Sequence, residues 1–219
     1  MDFSLIETIA LYAVPVVFAI TLHEAAHGYI ARIFGDHTAY MLGRVTLNPI
    51  KHIDPVGTVI VPLALLLLSK LAGGGGFLFG WAKPVPVNFG NLRQPKRDML
   101  WVAAAGPAAN LVMALGWAIL LRFTAPGGPF MSDGIDLMAS VGVRINVLLM
   151  VLNLLPIPPL DGGRIAVSLL PNPLAASFAR IEPYGFMVVI ILLASGMLNR
   201  LMDPFIVLVE HGLQALVGF

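Results

Sequence analysis

FAITLHEAAHGYIARIF, from Phe18 to Phe34, lies inside an apolar segment yet carries His23, Glu24 and His27. Its length and hydropathy suit a helix crossing a bilayer, where ionisable side chains are among the costliest residues to place. Four-residue spacing puts both imidazoles on one helical face, about 6 Å apart in rise, so both rings can reach one point. Glu24 follows the first histidine directly. Three such groups in one span argue against a chance match, because each carries an insertion cost.

The composition supports this frame. The 219 residues are 58% hydrophobic and 11% charged, with mean hydropathy +0.88, against about 45–50% and 25% in an ordinary soluble domain. The sequence reads as one integral membrane domain over 1–219, with no room for a soluble module. A net charge of +1 and the absence of a basic run set nucleic-acid binding aside. No cysteine means no disulfide and no thiolate metal site. The first apolar stretch lacks a small-residue cleavage site and is read as a retained span.

Hydropathy predicts spans over about 4–34, 99–123, 134–155 and 184–201. Segment 56–79, interrupted by four glycines, and segment 205–219 are short. The fold class expected is an all-α polytopic membrane protein of about four to six membrane segments. Lys and Arg concentrate in 32–54 and 80–98, whereas the loop 124–133 has neither. Positive charge marks the cytoplasmic side, so 56–79 is expected to enter and return as a re-entrant hairpin. GRVTLN (43–48) and KPVPVN (83–88) are expected to form a small cytoplasmic-side β element, with Pro84 and Pro86 confined to an edge.

HEAAH (23–27) is a zinc-hydrolase pattern of two ligands and a general base, and a catalytic zinc wants a third protein ligand. Position 33 is Ile, and no Glu lies between Glu24 and Glu182. Asp36 is about 14 Å along the helix from His27. Asp54 and Asp98 read as solvated loop residues, and Asp133 and Asp136 fall on the outer side. Asp161 remains, in NLLPIPPLDGGRI (153–165), where prolines break an apolar span. The alternative for Asp161 is a helix N-cap. The charge-derived topology places it at the same membrane end as His23 and His27.

Three motifs in this order, HEAAH (23–27), GPAAN (106–110) and NLLPIPPLDGG (153–163), resemble the site-2 protease family of intramembrane zinc metalloproteases. GWAKPVPVN (80–88) resembles a stretch of its compact prokaryotic members. The resemblance implies a three-helix catalytic core and a Zn2+ ion in each chain, held by His23, His27 and Asp161. It makes Glu24 the catalytic acid/base, places Asn153 beside the metal to polarise the scissile carbonyl, and turns Asn110 toward the site as a substrate-binding residue. The family's PDZ or CBS domain is not expected within 1–219. Implied partners are transmembrane protein substrates and the lipid bilayer of a prokaryotic cytoplasmic membrane, with the active site near the cytoplasmic side.

A substrate helix must unwind before cleavage. Its extended strand is expected to pair by β-addition with Val85, Val87 and Asn88, or with 43–48. Arg144, in mid-span, needs a partner, for which Glu182 is one candidate. His37 and His52 read as surface histidines, and His211 as a polar-face residue. The alternative function is a membrane metal-binding or metal-transport protein, which has no need of Glu24.

Overall fold

The computed structural model describes residues 4–61, 64, 67, 83–124 and 127–219. The first helix, α1 (Leu5–Ile33), starts at a reciprocal cap: Ser4 Oγ accepts the Glu7 N–H at 3.3 Å, and Glu7 Oε2 accepts the Ser4 N–H at 2.8 Å. The chain turns after Phe34 into α2 (Thr38–Met41), then through short 3-10 turns at Pro49–His52 and Phe89–Asn91. Two long helices follow, α3 (Pro95–Thr124) and α4 (Asp133–Leu154), then α5 (Asp161–Leu169), α6 (Asn172–Ala179), α7 (Glu182–Ala194) and α8 (Met197–Val217).

The centre is the mutual packing of α1, α3 and α4. On α1 the buried positions include Pro15, Ala19, His23, His27 and Ala31, a strict four-residue stripe that places one helical face against its neighbours. The facing stripe of α3 is Val102, Ala103, Gly106, Asn110, Ala114 and Ala118, and that of α4 includes Ala139, Gly142, Val143, Asn146 and Val147. Small residues at these contacts let helix backbones approach closely, which drives association where lipid replaces water. Large apolar side chains point outward instead, with Ile6 80%, Val112 70% and Ile191 59% exposed. Such surface suits hydrocarbon and would be an aggregation hazard in water.

Helices α1, α3 and α4 are long and apolar enough to cross a membrane, and α6 with α7, bent by 62°, would make a fourth, broken span. The apolar run expected over 184–201 is split: α7 ends at Ala194 and α8 begins at Met197. Gly196 supplies the break, with φ +71, a left-handed conformation that other residues adopt at a cost. The predicted helix 205–219 is the later part of α8. The re-entrant hairpin expected over 56–79 falls largely outside the described residues.

Neither 43–48 nor 83–88 forms a strand, and no strand occurs among the described residues. The physical reason lies in the donors. Pro84 and Pro86 have no N–H, and three neighbouring N–H groups bind elsewhere: Lys83 to the His52 carbonyl (2.9 Å), Val85 to Glu24 Oε2 (2.7 Å) and Asn88 to Asp36 Oδ2 (2.6 Å). Arg44 binds the carbonyls of Lys83 and Pro84. Segment 83–88 is an irregular strap held by side chains.

Several single residues also differ from expectation. His52 is buried, at 2% exposure, with Nε2 donating to the Thr46 carbonyl, whereas His37 and His211 are exposed as expected. Asp98 is buried in the first turn of α3 and accepts the Gln94 N–H. Asp54 is half-buried and accepts the N–H groups of Val56 and Gly57. Arg144 pairs with Glu210 on α8 at 3.4 Å, not with Glu182.

Candidate metal centre

His23 and His27 project from the buried stripe of α1 toward α3. Asp161 arrives from the start of α5. Its helix is preceded by Leu160 at the cap position, and the Asp161 side chain makes no capping bond. It turns instead to the histidines. Close approach makes this possible: a Cβ at Gly163 would lie 2.7 Å from the Ile157 carbonyl carbon, so the proline-rich turn folds directly across α5.

The three ligand atoms form a small triangle. His23 Nε2 and His27 Nε2 are 3.0 Å apart, and Asp161 Oδ2 is 3.2 Å from the first and 3.3 Å from the second. All three residues are buried, at 7%, 8% and 7% exposure.

The tautomers decide what this triangle is. His27 Nδ1 lies 2.7 Å from the Val102 carbonyl, which can only accept, so Nδ1 carries the proton. His23 Nδ1 lies 2.6 Å from Asn110 Oδ1 and donates likewise. In the neutral form that metal binding requires, each ring then presents a bare Nε2 lone pair inward. Asp161 Oδ2, buried and without a hydrogen-bond partner, presents another. Three electron-pair donors facing one another repel unless a cation lies between them.

Dimensions fit that cation. Tetrahedral zinc with bonds of about 2.0–2.2 Å separates its ligands by about 3.3–3.6 Å; the two Asp161 edges lie near this range, and the 3.0 Å His23–His27 edge would open slightly on binding. Gly106 makes the room. A Cβ there would lie against His27 Nε2 and 2.6 Å from His23 Nε2, in the space on which the donors converge. His23, His27 and Asp161 are also the group of His, Cys, Asp and Glu side chains able to hold a metal ion among the described residues.

The other expected residues are placed as follows. Glu24, half-buried, accepts the Val85 N–H. Asn153 is half-buried, and its Nδ2 donates to the Leu149 carbonyl in its own helix. Asn110 is wholly buried: Oδ1 accepts from His23, and Nδ2 donates to Asn146 Oδ1 (3.0 Å) and the Ala19 carbonyl (3.4 Å). Val85 is buried, Val87 half-buried and Asn88 exposed. Sequence reasoning passed over Asn146, although an asparagine inside an apolar span is a signal of buried polar contact. The Val102 carbonyl has no side-chain signature at all.

Asp36 organises the strap from the far end of α1. It is fully buried and receives bonds from Thr38, from the Asn88 N–H and from Asn91 Nδ2. Burial pushes its carboxyl up, but these donors outweigh burial and hold it below its ordinary value.

A bundle of apolar helices enclosing a buried two-histidine, one-carboxylate cluster with an adjacent glutamate is the arrangement expected of a membrane-embedded metallopeptidase. The model of peptidase family M50 matches residues 124–195, which include Asp161. "Putative zinc metalloprotease YwhC" of Bacillus subtilis (strain 168) is 38% identical over 197 residues, covering 88% of this chain and 84% of that protein. Rip2 of Mycolicibacterium smegmatis, described in the same words, is 35% identical over 186 residues, covering 84% of this chain and 66% of its own length. Rip2 of Mycobacterium tuberculosis H37Rv is 31% identical over 150 residues, 51% of its length. No solved structure matches. The chain belongs to peptidase family M50, and its enzyme class is that of a zinc metalloprotease.

Proposed function

We propose that this chain is an intramembrane zinc endopeptidase that hydrolyses peptide bonds in transmembrane or membrane-proximal segments of other membrane proteins. The observation that carries the reading is the convergence of His23 Nε2, His27 Nε2 and Asp161 Oδ2, with both histidine tautomers set by acceptors behind them.

His23, His27 and Asp161 would hold the zinc. When bound, zinc polarises the scissile carbonyl and lowers the pKa of a coordinated water. Glu24 accepts a proton from the attacking water and returns it to the leaving amine. The Val85 N–H orients its carboxylate at Oε2. A carboxylate has about four lone-pair sites, so this bond leaves capacity for the proton. Asn153 donates to the developing oxyanion after releasing Leu149. That exchange is feasible because its present bond lies within one helix turn.

The unwound substrate lies along the strap, with Val85, Val87 and Asn88 as its subsite and Asn110 acting behind His23. The strap 83–88, anchored at Val85 to Glu24 and at Asn88 to Asp36, supports this placement. The cationic residues Arg32, Arg44, Lys51, Lys83, Arg93, Lys96 and Arg97 all fall in the stretches 32–54 and 80–98, the second of which contains the strap. They support a cytoplasmic-side site in a prokaryotic cytoplasmic membrane.

The test is cleavage of a panel of single-span model substrates by purified protein in detergent, with zinc assayed in parallel. Wild type and Glu24→Gln should both retain zinc, and only wild type should cut. Zinc in both with cleavage by neither would favour the metal-binding or transport reading.

A further inference from the structure

Behind the site runs a chain of amides that begins at a backbone carbonyl of α4. The Gly142 carbonyl can only accept, so the group of Asn146 that faces it at 2.8 Å is the Nδ2 amide. Asn146 therefore turns Oδ1 the other way, toward Asn110 Nδ2 at 3.0 Å. Asn110 in turn presents Oδ1 to His23 Nδ1 at 2.6 Å. Each link forces the direction of the next. Asn110 and Asn146 are both at 0% exposure, so no water can substitute for a missing partner at an exposed face.

Close packing of α3 on α4 sets the register. A Cβ at Gly142 would lie 2.7 Å from Trp117 Cε2, so the indole occupies the place of a side chain there. That contact brings the two carboxamides, 36 residues apart in sequence, within bonding distance.

We propose that Asn146 is a positioning residue for the metal centre: acting through Asn110, it holds His23 in the Nδ1–H tautomer with its Nε2 lone pair on the metal. The proposal rests on the reading of His23, His27 and Asp161 as a zinc site. If Asn146 is lost, the Asn110 carboxamide keeps only the 3.4 Å contact to Ala19 to set its direction. A reversed Asn110 would aim an N–H at His23 and favour the opposite tautomer, with its proton on Nε2.

The experiment is a double-mutant cycle read by zinc affinity. Metal-free protein in detergent is titrated with Zn2+ against a chromophoric chelator for wild type, N146L, N110L and N146L/N110L. Thermal unfolding of each metal-free form is recorded. Removal of an outer partner of a ligating histidine typically weakens metal binding about 10–100-fold. N146L, one residue further out, should weaken it about tenfold in the wild-type background and not at all in the N110L background. Equal losses in both backgrounds, or unchanged affinity beside a lowered Tm, would reduce Asn146 to a packing residue and overturn the proposal. If wild type itself binds no zinc, the metal reading fails first and this one with it. Should N146L fail to fold, N146A serves in the same cycle, since it removes both the donor to Gly142 and the acceptor for Asn110 without adding bulk.

Discussion

Glu24 Oε2 accepts the backbone N–H of Val85 at 2.7 Å, joining the residue beside the first histidine to a strap 61 residues later in the chain. The bond ties the aim of the candidate base to the position of the candidate substrate subsite. Anything that shifts the strap must also shift the carboxylate.

Val85→Pro removes that N–H between two existing prolines. An orienting hydrogen bond to a charged group contributes about 1.5–3 kcal/mol, so kcat should fall roughly tenfold or more while zinc content stays at the wild-type level. Val85→Ala, which keeps the N–H, is the control and should lose much less. Steady-state cleavage with parallel metal analysis separates the two effects.

Gly106→Ala puts a methyl group into the space between the histidine nitrogens. Both rings are held from behind by Val102 and Asn110 and cannot swing clear. Overpacking of this kind costs about 1–3 kcal/mol, which corresponds to zinc affinity lowered by about tenfold or more. Chelator competition on metal-free protein measures it. Wild-type affinity in this variant would show that the ion does not sit against Gly106.

Asp36 gives a pH-dependent prediction. Its folded pKa lies below the ordinary 3.8, because bonds from Thr38, Asn88 and Asn91 outweigh burial. The stability it contributes is therefore fully present above pH 3.8 and is lost as pH falls further through the folded value. Asp36→Asn turns a donor toward the donors that Asp36 accepts, and should destabilise by about 1–3 kcal/mol near neutrality. The Tm difference between wild type and variant should narrow only in acid below pH 3.8.

The Arg144–Glu210 pair joins α4 to α8 at 3.4 Å, with Glu210 the more buried partner. Glu210→Ala leaves an unpaired guanidinium on an apolar helix. Breaking one partner of an ion pair in a poorly solvated site costs more than removing both. The single variant should unfold at lower temperature in bicelles than Arg144→Ala/Glu210→Ala. The reverse order would mean that Arg144 is solvated without its partner.

Helical character was legible in the long apolar runs, because 3.6-residue periodicity and span length act within one segment. The β element was not, and the reason is visible at 83–88. Extended propensity needs a neighbouring ladder, whereas these N–H groups are taken by Glu24, Asp36 and the His52 carbonyl. The break at Gly196 was hidden because glycine within an apolar run is equally compatible with a continuous span. Asp98 and His52 looked like loop residues because burial depends on what folds over them.

HEAAH alone determines that two imidazoles and a carboxylate share a short arc of one helix, since i, i+4 geometry is local. Composition alone determines that this helix belongs in a membrane. The third donor is different. That Asp161 Oδ2 stands 3.2 Å from His23 Nε2 depends on the proline-rich turn folding over Gly162 and Gly163. Which nitrogen of each histidine faces inward depends on Val102, Asn110 and Asn146, brought up by the packing of α3 and α4. Spacing along a chain specifies neighbours on one helix, but contacts between helices arise only when small residues such as Gly106 and Gly142 let the backbones close.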